Sequence, residues 1–182
     1  MTNRLPLPLA ALLLAISALL GACASGGPAS EHSYLLPAAG EPAASDRLPR
    51  VRVDVAGYLD QAGVVVETAP TSVHAARRHL WAEPLPSQLR RALRHHLAAA
   101  GAPARGRLGV SVTRFQGTAD GNARVSGQWH YRAEQSEQKE SLEQSGHFDL
   151  TRPLSQDGYP ELVTRLDDAW QAVAQQIADA LR

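Results

Sequence analysis

The chain has 182 residues, with 18 basic side chains against 18 acidic ones, 5% aromatic residues and one cysteine. Balanced charge argues against nucleic acid, which needs a net basic domain. So few rings argue against a base-stacking platform. One thiol excludes intrachain disulfides, so the fold must rest on its apolar core.

The N-terminus carries one basic residue, Arg4, and then the run Leu9 to Leu20, broken only by Ser17. A charged start, an apolar middle and small residues before a cut read as a secretory signal over residues 1–22. The run is short for a spanning helix, which wants about 20 apolar residues. It ends in Leu20-Gly21-Ala22-Cys23. This segment resembles the lipobox of bacterial lipoproteins, which implies cleavage before Cys23 and acylation of its thiol and new N-terminus. Several acyl chains hold a protein stably where one holds it marginally. The alternative is an ordinary signal with an incidental cysteine.

Residues 23–182 are one domain by length. Ala24 to Pro49 is rich in Ala, Gly, Pro and Ser and reads as a flexible tether. Ser33 to Leu36 interrupts it as a short first strand. Arg50 to Val55 alternates, with Val51, Val53 and Val55 on one face, and predicts a strand. Gly57-Tyr58-Leu59-Asp60 follows as a turn, and Val64 to Thr68 as a second strand. Ser72 to Leu80 leads into Trp81-Ala82-Glu83-Pro84-Leu85. Pro84 and Pro86 prevent a regular helix through this stretch but suit the start of one. From there Leu85, Leu89, Ala92, Leu93, Leu97 and Ala100 share one arc, with Gln88, Arg90, Arg91, Arg94 and His95 opposite. Gly101 and Pro103 end that helix.

Three alternating segments follow, Arg107 to Gln116, Ala123 to Glu134 and Ser141 to Leu150, joined by polar loops. Phe115 breaks the phase of the first, as a bulge or a strand end would. They predict an antiparallel meander. Asp157 is placed as the cap of a final helix. Its stripe is Leu162, Leu166, Ala169, Trp170, Val173 and Ile177, with Asp167 and Asp168 on the polar face. The expected fold is α+β, an antiparallel sheet of about five strands with two amphipathic helices on one face. The expected boundaries are 1–22 signal, 23–49 lipidated tether and 50–182 one periplasmic domain.

No catalytic or metal constellation emerges. His74, His79, His95 and His96 lack His-Glu-x-x-His spacing, and no second cysteine exists. No metal or cofactor is expected. His96 falls in the apolar arc and reads as a core-edge histidine bonded to a late helix carbonyl. No serine lies in Gly-x-Ser-x-Gly. Glu83 reads as a favourable charge at a helix start, ahead of a general acid. Asp60 reads as a turn residue, and Trp81, Trp129 and Trp170 as core. Arg77, Arg78, Arg90, Arg91 and Arg94 concentrate positive charge; Asp157, Glu161, Asp167, Asp168 and Asp179 concentrate negative charge. These are two solvated faces, or a head-to-tail subunit interface, or, for the arginines, contacts to anionic headgroups.

Tyr58-Leu59-Asp60 between two early strands, Trp81-Ala82-Glu83-Pro84-Leu85 opening a helix, Phe115, Trp129 and the last helix occur in a distinctive order. In this the chain resembles the ABC-type transport auxiliary lipoproteins, the PqiC-like group. The resemblance implies a non-enzymatic lipoprotein of the Gram-negative envelope, docking a periplasmic MCE-domain protein that moves lipid between membranes. It also implies a homo-oligomeric ring and makes Tyr58, Asp60, Trp81, Glu83 and Pro84 family-motif residues. Arg90, Arg91, Arg94, Asp167 and Asp168 are then candidate interface residues. Ala24 after Cys23 carries no acidic retention signal, which favours the outer membrane. The rivals are an outer-membrane assembly lipoprotein that binds lipopolysaccharide or a β-barrel protein, and an exported hydrolase with a deep pocket.

Overall fold

The alternation at 50–55 does form a strand, and it joins a larger sheet than the sequence suggests. The computed structural model describes residues 30–41, 48–102, 105–134 and 143–182. The lipobox, Cys23 and the signal segment lie outside those residues. In chain order the strands are β1 His32–Tyr34, β2 Arg50–Val55, β3 Gly63–Ala69, β4 Ser72–Trp81, β5 Arg107–Gly117, β6 Asn122–Arg132 and β7 Glu143–Pro153. The helices are α1 Leu85–Ala99 and α2 Tyr159–Ala180.

Among the described residues the sheet has seven strands in the order β1-β4-β3-β5-β6-β7, with β2 also paired to β5. The meander is observed: β5, β6 and β7 pair antiparallel, with Val110 opposite Trp129 and Gly127 opposite Phe148. A register shift between Val112 and Arg114 is the bulge that throws Phe115 out of phase. The expectation of an antiparallel sheet of about five strands needs correction. The sheet is mixed, because β1–β4, β2–β5 and β3–β5 are parallel. Parallel neighbours need a crossover connection, and α1 lies in the one between β3 and β5.

Both helices bury their apolar stripes on one face of the sheet. Trp170 is fully buried and meets Phe115 and Phe148 edge-on, at ring separations of 6.2 and 5.9 Å. Its indole Nε1 donates to the Leu89 carbonyl at 3.0 Å, which ties α2 to α1. A buried indole needs such an acceptor. Trp81 and Trp129 are buried too. Helix α1 ends as expected. Gly101 takes φ of 68°, and the Ala102 N–H returns to the Leu97 carbonyl at 3.0 Å. This left-handed closure favours glycine. Helix α2 starts differently from expectation: its cap is Gly158, not Asp157, with no side-chain cap bond. Instead the Glu161 carboxylate reaches back to the Ser155 N–H and hydroxyl, at 3.0 and 2.6 Å.

The expected tether runs too far. Leu36, Ala38 and Ala39 belong to the core, and β1 pairs with β4. Residues 32–40 are folded structure, held by a backbone clamp. Gln88 Oε1 accepts the Leu36 N–H at 2.9 Å, Asp167 Oδ2 accepts the Ala38 N–H at 3.2 Å, and Arg91 Nε donates to the Ala39 carbonyl at 3.0 Å. Two residues predicted on polar faces, Gln88 and Asp167, are therefore buried.

Candidate functional site: a cleft between the two motif segments

Strand β4 carries the second motif back alongside the first. Gly63 of β3 pairs with Leu80 of β4. The Trp81 N–H then donates to the Ala62 carbonyl at 2.7 Å, and the Ala82 N–H to the Tyr34 carbonyl at 2.8 Å. This registers the turn after β2 against the entry to α1. Between them lies a cleft of about 360 Å³ lined by Asp60, Gln61, Ala62, Trp81, Ala82, Glu83 and Pro84. Four of the five motif residues named from sequence meet there.

The fifth, Tyr58, sits beside the cleft as a fastener. Its hydroxyl lies 2.9 Å from the Thr113 carbonyl and 2.7 Å from Gln116 Oε1, so one proton serves two acceptors. Gln116 is buried, and its Nε2 donates to Glu67 at 3.3 Å. Burial raises the Tyr58 phenol above its ordinary value. The short helical turn Gly57–Leu59 is thereby fixed onto β5, with Leu59 fully buried beneath it.

Glu83 has a specific partner. Arg91, two turns into α1, donates to both of its carboxylate oxygens at 2.6 and 2.8 Å. These bonds hold the Glu83 carboxyl below its ordinary range. Besides lying at the helix start, Glu83 is thus one half of a bidentate ion pair. The Glu83 carbonyl accepts from Gln88 Nε2 at 3.0 Å. Asp60 is exposed at the rim. The cleft thus offers an apolar floor, an exposed carboxylate and a fixed ion pair. It carries no nucleophile with a base. No cluster of three metal-ligating side chains occurs among the described residues. Such a surface can seat a segment of another protein.

Of the five charged interface candidates, Arg91 and Asp167 meet on residues 38–39 as parts of the clamp, and the other three do not join them. Arg91 is committed to Glu83 and Ala39. Asp168 pairs with Arg165 at 2.8 Å. Asp167 is buried, 3.4 Å from His96 Nε2. That contact corrects two readings: Asp167 does not lie on a solvent face, and His96 pairs with a carboxylate and not with a helix carbonyl. Arg90 is exposed and Arg94 half-buried.

Sequence reasoning missed a ring stack beside the cleft. His79 of β4 stacks on Tyr159 at 3.9 Å, on His32 at 5.3 Å and on Tyr34 at 5.8 Å. The Tyr34 hydroxyl and His79 Nδ1 are 2.8 Å apart. Burial, then the neighbouring His32 and Arg78, push the His79 pKa down. The stack spans β1, β4 and α2, so no local pattern announces it.

Residues 34–178 match the family described as ABC-type transport auxiliary lipoprotein component. The chain is 32% identical to the intermembrane transport lipoprotein PqiC of Escherichia coli K12, covering 93% of this chain and 96% of that one. The PqiC of Shigella flexneri matches equally. A crystal structure of an uncharacterized protein superposes with a TM-score of 0.69 and 30% identity, over 85% of this chain and all of that one. A Xanthomonas campestris protein, 18% identical, shares the fold with a TM-score of 0.59 over 84% of this chain and 95% of its own. The family is a transport auxiliary component and not a family of enzymes, as the sequence reading expected. No helix among the described residues is long and apolar enough to cross a membrane. The chain belongs to the ABC-type transport auxiliary lipoprotein family.

Proposed function

We propose that this chain is a lipid-anchored docking component of an intermembrane lipid-transport system. Cys23 carries the acyl anchor in the outer membrane, the folded domain faces the periplasm, and the cleft between Asp60 and Glu83 receives the periplasmic MCE-domain protein. By linking the two membranes the assembly supports envelope integrity. A homo-oligomeric ring would present several clefts to one tubular partner. The observation that carries the reading is the meeting of the two family-motif segments in one shallow, non-catalytic cleft. The naming of the similar Escherichia coli protein as an intermembrane transport lipoprotein supports it.

The test is affinity capture from detergent-solubilised envelopes, with wild type and Asp60→Lys in parallel. Asp60 is exposed, so the variant folds normally while reversing charge at the rim. The expected result is recovery of an MCE-domain protein with wild type and a several-fold loss with the variant. Recovery of the chain alone, or with lipopolysaccharide or a β-barrel protein, would contradict the proposal.

A further inference from the structure

We propose that the outer edge of β4 and the β3–β4 hairpin, with Arg77 and Arg78, rest on the anionic headgroups of the membrane that carries the anchor. This rests on the reading of Cys23 as the acylated residue.

Chain length and direction argue for it. Strand β1 runs parallel to β4, with His32 opposite His79, so the polypeptide enters the fold from the Arg78 and Arg77 side. His32 is nine positions after Cys23, and an extended chain advances at most ~3.6 Å per residue, so the span from anchor to that point is at most about 32 Å. The clamp on residues 36–39 makes them part of the fold, so the span from the anchor to the fold is far shorter than a tether running to residue 49.

The surface at that point has matching chemistry. Strand β1 covers only residues 79–81 of β4, so residues 72–78 have no strand partner on the outer edge among the described residues. Arg77 and Arg78 are exposed there, and neither forms an ion pair among the described residues. Among the described residues neither neighbouring carboxylate pairs with them: Glu31 is exposed, and Glu67, opposite Val73, accepts from Gln116 and keeps its charge. Val73, 48% exposed, is the most exposed large apolar side chain among the described residues and sits on the same strand near the tip. Cations on the same strand edge as an exposed apolar residue suit a headgroup layer, where each arginine is worth about 1 kcal/mol, roughly fivefold, near an anionic surface.

The mature acylated chain, reconstituted in vesicles of phosphatidylcholine with 30 mol% phosphatidylglycerol, tests this. With Cys23 acylated, Val73→Cys provides a single labelling thiol, and Glu134→Cys provides another two residues beyond the far end of β6. Flotation first reports anchoring. Energy transfer to a headgroup acceptor then reports height above the membrane. The expected result is strong transfer from position 73, weak transfer from 134, and loss of the difference in Arg77→Gln/Arg78→Gln or in pure phosphatidylcholine. Equal transfer, or stronger transfer from 134, in vesicles that float would overturn the proposal and leave the anchor reading intact. Failure to float would overturn both. Transfer that instead tracks protein density between differently labelled copies would assign the edge to self-association and also overturn it.

Discussion

Gln88 on α1 accepts the backbone N–H of Leu36 at 2.9 Å, although the two residues are 52 apart in sequence. Both are fully buried. A buried N–H that loses its acceptor costs about 1–3 kcal/mol. Gln88→Ala should therefore lower stability by about that much in urea denaturation, with added cost from the cavity. Gln88→Leu keeps the volume and removes the acceptor, so it should recover only the cavity part.

Glu161 gives the fold a pH dependence. Its bonds to Ser155, then to Arg165, lower its pKa from 4.5 to about 2. A carboxyl depressed in the folded state binds fewer protons there than when unfolded. Its contribution is fully present above the unfolded value and disappears as pH falls through the folded one. Thermal melts of wild type should therefore lose stability between about pH 5 and pH 2. Glu161→Gln should be less stable at pH 7 and should flatten that slope. An unchanged slope would assign it to other carboxyls.

The pattern of what the sequence reveals follows from how many neighbours each element has. Strands β2, β5, β6 and β7 alternate because each has one face on the helices and one in water. Strand β4 does not: in Ser72–Trp81 only Ala76 and Trp81 are buried, so its edge position erases the period. Parallel pairing leaves no local mark, because the partners of β5 are fixed by a crossover and not by a hairpin. A helical wheel puts Gln88 and Asp167 opposite the apolar stripe, yet residues 36–39 cover that face. Those residues are Leu-Pro-Ala-Ala, indistinguishable by composition from the tether before them. The motif residues of the cleft were legible, but their convergence depends on the β3–β4 register.

Trp129 makes a third prediction. Its indole lies over Gly146 on the neighbouring strand, where an added Cβ would come within 2.8 Å of Nε1. No real Cβ tolerates that approach, so any side chain at 146 must expel the ring or bend β7. Gly146→Val should cost about 1–3 kcal/mol, the usual range for overpacking. Tryptophan fluorescence should shift to the red as Trp129, now 6% exposed, meets water.

The clamp predicts a hierarchy of local opening. Ala38 is held by Asp167, which also faces His96. Asp167→Asn keeps an acceptor for the Ala38 N–H and removes the charge beside His96. Hydrogen exchange should then leave Ala38 protected, whereas Asp167→Ala should speed its exchange by roughly fivefold or more, the equivalent of losing about 1 kcal/mol.

The account depends most on an envelope anchor at one sulfur. Intact-mass and peptide mass spectrometry of the native protein test it directly. The predicted result is a mature chain beginning at Cys23, with a diacylglyceryl thioether and an acylated N-terminus. A chain with a bare Cys23 thiol, or one beginning at another residue, would contradict it.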